Sequence, residues 1–596
     1  MSGAQIYRSL PPSLQPRSEP DMSTAPAAIP VTESVSRAES VEAATLADSN
    51  AEAKERTDTL DEKLADSEKG VVAEEEEEEG RFIGGAKLIL IFAGLLSSIF
   101  LVALDNTIVS TALPRIVSAF DALDQVTWVV SAYFLTQAGF MLTGGQMLTI
   151  VSTKLLFLIS IFIFEVGSLV CGVAPNINVL IFGRALAGVG GACIFVTVLS
   201  IVAEIVRLKD RPVAFGAFGA LFALSSVVGP LLGGAFTDHV SWRWCFYINL
   251  PFGGVAMLAV IFFLPNRPAP VRPGQENFTT WQKWKGVDVV GSILCLGLVT
   301  SLLLPLQWGG QSRPWNDKAV IALFVVFAVL VPIFALWEYR QGENAILPLA
   351  LLKNRTQLGC VFEAFFIFLG LLLAIFYLPL WYQAQGHSAT RSGIDILPFQ
   401  LATVLTAMAA GGVINGTGRY WYFLVGTPLL VSIGAGLLYT IDAETAHARV
   451  IGYQILLGVG VGGALQNTII AIQAEYADRE HMVPQTTAIV SWGQLLGGII
   501  GIAIAGTVFS NGLVHHFPPE LSLEARIKVS QSVTAIFTLP EDQKKMAIDA
   551  YIKAIDQVFL IGVPGGFFAT CSALFIRNWN LKERSKLQSG KALPSH

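Results

Sequence analysis

Charge is scarce in this chain of 596 residues. Only 14% of positions are Asp, Glu, Lys or Arg, whereas 53% are hydrophobic, and the mean hydropathy is +0.58. A soluble chain of this length could not bury so much apolar surface in its own core, so the soluble globular classes are excluded. Histidine is scarce too. His239, His387, His447, His481, His515, His516 and His596 are all expected outside the apolar stretches, which argues against a metal centre or a histidine proton relay within them. The six cysteines, Cys171, Cys193, Cys245, Cys295, Cys360 and Cys571, lack the paired spacing of metal sites and are assigned to packing. Cys171 and Cys245 fall near the outer ends of their apolar stretches, so a bridge and two free thiols are both open. No G-x-x-x-x-G-K-S/T phosphate loop occurs.

What the chain does contain is a series of apolar stretches of about twenty residues, each long enough for a helix to cross a hydrocarbon core. About fourteen are read, at 88–110, 126–149, 155–174, 178–203, 213–237, 244–264, 287–306, 319–337, 357–381, 393–413, 421–440, 450–473, 484–508 and 557–576. The fold class is therefore an all-α polytopic membrane protein. Before the first span, residues 1–86 are rich in Ser, Ala, Pro and Glu and end near the run Glu74 to Glu79. Too poor in apolar residues to fold, this segment reads as a disordered acidic tail. The first span is too long for the core of a cleavable leader and is expected to act as the insertion signal itself.

Orientation comes from the connections. With the N-terminus in the cytoplasm, the cytoplasmic loops hold Arg207, Lys209 and Arg211, then Arg267, Arg272, Lys283 and Lys285, then Arg340, Lys353 and Arg355, the bias expected of that side. The three Asn-x-Ser/Thr sequons, at Asn277, Asn354 and Asn415, fall on the same side, where no glycan is attached. Both termini are then cytoplasmic. The C-terminal tail, 577–596, carries Arg577, Lys582, Arg584, Lys586 and Lys591 and reads as a stop-transfer flank or a contact with anionic lipid.

The chain repeats itself. Gly188-Val189-Gly190-Gly191-Ala192 in span 4 recurs as Gly460-Val461-Gly462-Gly463-Ala464 in span 12, and Ala203-Glu204 recurs as Ala474-Glu475. Both segments run in the same direction across the membrane, which suggests two six-helix halves related by an axis along the membrane normal. The halves are 87–264 and 357–576, the second with a long extracellular loop at 509–556, and 265–356 supplies two inserted helices.

LDNTIVSTALP (Leu104 to Pro114), FGRALAGVGGA with Arg184 and Gly188, GPLLGG (Gly229 to Gly234) and SWRWCFYINLPFGG (Ser241 to Gly254) closely resemble the major facilitator superfamily. The likeness is to its fourteen-span drug/proton antiporters, in particular fungal efflux pumps for toxins and secondary metabolites, and it runs over nearly all of 82–580. The loop after span 2 departs from the family pattern Gly-x-Leu-x-Asp-Arg-x-Gly-Arg-Lys. Here Gly145 to Lys154 reads GQMLTIVSTK, so Thr149 stands in the acidic position and only Lys154 keeps the basic end. The usual charge lock of that cytoplasmic gate is put in doubt.

Individual residues add their own argument. Asp105 and Arg184 are ionisable groups inside apolar spans, expensive unless they pair or face a water-filled cavity. At about 1.5 Å per residue, Asp105 lies about 26 Å from the inner end of span 1 and Arg184 about 9 Å from the outer end of span 4, so both sit in the outer half of a core about 30 Å thick. Either they form a permanent structural pair, or Asp105 exchanges a proton as the cavity opens to each side while Arg184 tunes it. The resemblance implies the second. Glu165 in span 3 reads as a helix-packing contact, and Glu363 in span 9 as a packing group or a second proton contact. Gln466, Asn467 and Gln473 on span 12, with Gln494 on span 13, line a substrate path or bond neighbouring helices. Gly229-Pro230 breaks span 5, because Pro230 removes a helical hydrogen bond from the Ser226 carbonyl, while Gly233 and Gly234 allow close approach. By resemblance this motif marks exporters. Gly493, Gly497 and Gly501 form a small-residue stripe for packing.

No stretch in the cytoplasm could hold a nucleotide-binding domain, so the energy source is an ion gradient. The reading is a proton-coupled exporter of small amphipathic organic compounds working by alternating access, not an enzyme, with small-molecule substrate, protons and membrane lipid as partners. A monomer is expected, in the plasma or vacuolar membrane, without cofactor, metal or nucleic acid. An importer or vacuolar carrier of a polar solute, such as a siderophore or basic amino acid, and a transporter-like sensor stay open. The topology is directly testable. A sequon engineered near Leu521 should acquire a glycan while Asn277 does not, and modification of Asn277 would overturn both the orientation and the span count.

Overall fold

The computed structural model describes residues 84–120, 125–270, 278–310 and 313–588. Most of the acidic segment, with its Glu74 to Glu79 run, the Asn277 sequon and the final residues including Lys591 lie outside them. The described residues are helical, with one isolated bridge between Gly309 and Arg313.

The first half contains α1 (Gly85–Phe120), α2 (Val126–Met147), α3 (Thr153–Val173), α4 (Ile177–Ile205), α5 (Arg211–His239) and α6 (Asn249–Phe263), the last preceded by a helical turn Trp244–Tyr247. The inserted pair is α7 (Val289–Trp308) and α8 (Lys318–Gln341). The second half contains α9 (Arg355–Ala384), α10 (Leu397–Thr417), α11 (Trp421–Leu438) and α12 (His447–Ala464, resumed at Asn467–Glu475). It ends with α13 (Val483–His516) and α14 (Glu541–Leu560, resumed at Gly562–Ala573). Thirteen helices among the described residues are long and apolar enough to cross a membrane. The remaining expected span corresponds to α2, which packs inside the bundle against α4, α7 and α13.

The stretch 509–556, expected as a loop, is largely helical. α13 runs on to His516, a helix occupies Leu523–Gln531, and α14 starts at Glu541. The first part of α14 is amphipathic: Glu541, Asp542, Lys544 and Lys545 lead into buried Ala547, Ala550, Tyr551, Ile552, Ala554 and Ile555. Charge in the first turn lowered the apolar density without preventing the residues after it from packing. All six cysteines are free. Histidines expected in loops close or open helices instead, His239 ending α5, His447 opening α12, and His515 and His516 ending α13.

The repeated glycines do the same work in both halves. A methyl at Gly188 would come within 2.3 Å of the Tyr133 carbonyl on α2, and one at Gly190 within 2.5 Å of the Phe164 backbone on α3. In the second half, a methyl at Gly462 would lie 2.1 Å from the Thr403 carbonyl on α10, and one at Gly460 2.6 Å from the Val431 nitrogen on α11. Each helix is wedged between the two corresponding neighbours, but the roles of the first and third glycines are exchanged. Small residues permit this backbone contact, which lipid-solvated helices rely on in place of a hydrophobic driving force. The α13 stripe behaves likewise, since methyls at Gly493, Gly497 and Gly501 would meet Val361, Phe365 and Leu369 of α9. The repeated acids also correspond. Glu204 accepts from Thr153 Oγ1 at 2.6 Å, and Glu475 accepts from Asn354 Nδ2, Arg577 Nη1 and Trp579 Nε1 at 3.0, 3.2 and 2.7 Å.

The halves meet at the end that carries Arg207, Arg211, Lys154 and Arg577, called here the basic end. A methyl at Gly145 of α2 would strike Ala488 of α13 at 2.3 Å, and one at Gly411 of α10 would lie 2.6 Å from the Pro212 carbonyl of α5. Polar ties cross the same seam: Arg211 Nη1 donates to Gln473 Oε1 at 3.0 Å and Asn415 Nδ2 to Asp210 Oδ1 at 2.8 Å. Arg211 is buried. Bulk at Gly411 should therefore cost the closed form about 1–3 kcal/mol, whereas the adjacent Gly412 has open space. With a cysteine at the buried Thr486 as reporter, Gly411→Leu should raise thiol labelling from the basic end and Gly412→Leu should not. Equal labelling of the two would refute a seal at this seam.

Candidate functional site

Asp105 and Arg184 meet. Arg184 Nη1 donates to Asp105 Oδ2 at 2.6 Å, and both side chains are essentially inaccessible to solvent. The pair is held from all sides of the first half. Arg184 Nε donates to the Val129 carbonyl at 3.1 Å, and the guanidinium lies over the Tyr133 ring, 4.4 Å from its centre. Asn249, at the start of α6, donates to Asp105 Oδ1 at 3.3 Å and lies 3.1 Å from Ser168 Oγ on α3. Residues of α1, α2, α3, α4 and α6 thus converge on one ion pair. Removing one partner of such a buried pair strands the other charge, at a cost of about 3–5 kcal/mol.

Glu165 stands on α3 three residues before Ser168. Among the described residues neither of its oxygens has a hydrogen-bond partner, and its carboxyl presses on α6, where a methyl at Gly253 would overlap Oε1. The packing role expected of it is visible, without a hydrogen bond.

Two residues along α1 from Asp105, the glycine-proline motif engages the same helix. A methyl at Gly229 would come within 2.1 Å of Thr107 Oγ1, and that hydroxyl donates to the Ser225 carbonyl at 3.0 Å. α5 continues through Pro230 to His239. The close approach falls on Gly229; Gly233 is buried, and a methyl at Gly234 would meet open space.

The gate residues separate. Gly145 makes the contact with α13 already described, Thr149 Oγ1 donates to the Gln146 carbonyl at 2.8 Å, and Lys154 Nζ donates to the carbonyls of Ile261 and Leu264 at 2.7 Å each. Lys154 therefore caps the C-terminus of α6 within its own half, favourable for a cation at that end of the helix. In the second half, Glu363 is fully buried on α9, with neither oxygen partnered among the described residues. Gln466 sits at the break in α12, Asn467 Nδ2 donates to the Gly463 carbonyl at 2.6 Å, and Gln494 is buried on α13. None of these four joins the Asp105 site through a hydrogen bond or ion pair among the described residues.

Sequence reasoning singled out both members of the pair but missed Asn249, Ser168 and Tyr133. Asn249 was legible in principle, as the one amide in the apolar run INLPFGG. Ser168 and Tyr133 carry no such signal.

The model for the Major Facilitator Superfamily matches residues 95–502. The chain is 44% identical over 434 residues to the "MFS-type efflux pump MFS1" of Arthroderma benhamiae, covering 72% of this chain and 80% of that protein. It is 39% identical over 498 residues to the "Efflux pump aflT" of Aspergillus parasiticus, covering 82% and 96%. Against the "Rubrofusarin-specific efflux pump aurT" of Gibberella zeae it is 37% identical over 508 residues, covering 85% and 92%. The crystal structure of the human organic anion transporter MFSD10 (TETRAN) superposes with a TM-score of 0.53 over 82% of this chain and 100% of that one, at 13% identity, a likeness of fold alone. On the family match and these relatives, the chain is a multi-pass membrane transporter and belongs to the Major Facilitator Superfamily.

Proposed function

We propose that the chain is a proton-coupled exporter of small amphipathic organic compounds, working by alternating access. The observation that carries the reading is the Asp105–Arg184 pair, shut away from solvent in a form whose basic end is closed. The efflux-pump names of three relatives support the direction, as does the Gly229–Thr107 contact, which links the kinked helix to the helix bearing Asp105.

With Asp105 ionised, Oδ2 accepts from Arg184 and Oδ1 from Asn249. A proton arriving from the end opposite the basic one neutralises the carboxylate and leaves Arg184 as a buried cation beside the Val129 carbonyl and the Tyr133 face. That state is costly, so the helices converging on the pair shift and the seam at Gly145 and Gly411 opens. Proton release on that side restores the pair and closes the seam. Substrate binds in the open form and leaves at the other end, with Glu363, Gln466, Asn467 and Gln494 lining its path. The basic end is cytoplasmic in this scheme, both termini lie there, and the membrane is the plasma membrane.

Asp105→Asn cannot cycle a proton. In reconstituted vesicles its gradient-driven export should fall to background while substrate still binds, and Glu363→Gln should keep part of its export. Full gradient-driven export by Asp105→Asn would remove Asp105 from the coupling role.

A further inference from the structure

At the basic end, a cleft of about 250 Å³ lies between the end of α2 and the segment leading into α7. Its polar lining comprises Gln146, Thr149, Gln282, Lys283, Lys285 and Asn344, with no acidic residue. The two lysines stand on a short helix, Thr280–Lys285, fixed by a reciprocal cap: Thr279 N donates to Gln282 Oε1 at 2.9 Å and Gln282 N to Thr279 Oγ1 at 3.4 Å. Among the described residues neither lysine is ion-paired; Lys285 Nζ lies only over the Trp281 ring, 5.9 Å from its centre. The cleft is thus positively charged and smaller than the roughly 300–1,000 Å³ of sites for drug-sized ligands.

The short helix that lines this cleft also carries exposed aromatic residues, as does the segment just before it. Phe278, Trp281 and Trp284 are exposed, Trp281 by 70%. Four residues after Lys285, α7 begins with exposed Val289, Val290 and Ile293, a lipid-facing start. Exposed tryptophans just before a span occupy the headgroup level of a bilayer. A basic cleft at that depth suits the phosphate of a lipid, since juxtamembrane lysines attract anionic headgroups. Its floor is also structural: Gln146 Nε2 donates to the Asn344 carbonyl at 2.5 Å, and Gln146 Oε1 accepts from Asp288 N at 3.1 Å. An occupant would touch the joint between α2, which makes the Gly145 contact with α13, and the inserted pair.

We propose that this cleft binds the phosphate headgroup of an anionic phospholipid in the leaflet at the basic end, with Lys283 and Lys285 as the phosphate contacts and Trp281 and Trp284 beside the acyl chains. The site is separate from the Asp105 pair and does not depend on the direction or coupling of transport.

Native mass spectrometry of the full chain, titrated with phosphatidylinositol 4-phosphate, phosphatidylcholine or inorganic phosphate, tests it. The inositol lipid should bind, and Lys283→Gln combined with Lys285→Gln should weaken it about tenfold or more. Lys283→Arg with Lys285→Arg should restore binding and so separate lost charge from lost folding. Lys528→Gln with Lys553→Gln, at the other end of the bundle, should leave it unchanged. Retention of the lipid within about twofold by the double glutamine variant would overturn the proposal, as would equal binding of phosphatidylcholine or equal competition by inorganic phosphate.

Discussion

A charge inside an apolar bundle must find an opposite charge, and in this protein one such pair organises half the molecule. Arg184 and Asp105 are each too costly to bury alone. Their pairing at 2.6 Å draws the Val129 carbonyl, the Tyr133 ring and Asn249 into one cluster. The helices contributing these groups are separated by long stretches of sequence, yet each must hold its register for the pair to survive. The ion pair is therefore a constraint on helix rotation as much as an attraction.

Backbone proximity supplies the second constraint. The glycines of α4, α12 and α13 let neighbouring helices pack without intervening side chains, so the bundle is held by many shallow contacts that slide more readily than interlocked bulky residues. The seam between the halves at the basic end is of the same kind. It closes on Gly145 against Ala488 and Gly411 against Pro212, with Arg211 and Asn415 adding hydrogen bonds across it. Where the family pattern has a charged gate motif, this chain has Thr149 and a Lys154 committed to α6. The seam is thus closed by close backbone contacts and a few hydrogen bonds, and not by the family's charged gate motif.

Much of this was legible in the residues, for identifiable reasons. Apolar run length reports span number because bilayer thickness sets it, and the paired depths of Asp105 and Arg184 report a contact because each helix rises by a constant increment. The first part of α14 was misread because charged residues at the start of the helix dilute its hydropathy; Glu541 to Lys545 hid the buried positions that follow. The register exchange within the repeated glycines was invisible, because letters align without showing which neighbour each one faces. Ser168 and Tyr133 escaped notice because a serine and a tyrosine inside a span usually bond locally or pack. Only the folded arrangement turns them toward the pair.

The central claim is that protonation of Asp105 parts the pair and opens the basic end. Spin labels at Val213 on α5 and Val413 on α10, both exposed flanks of the Gly411 contact, report that opening as a distance distribution. The account predicts that the wild-type distribution lengthens as pH falls, and that Asp105→Asn, fixed in the neutral form, shows the longer distances at every pH. A closed, short-distance distribution in Asp105→Asn that still lengthens with acid, as in the wild type, would contradict it.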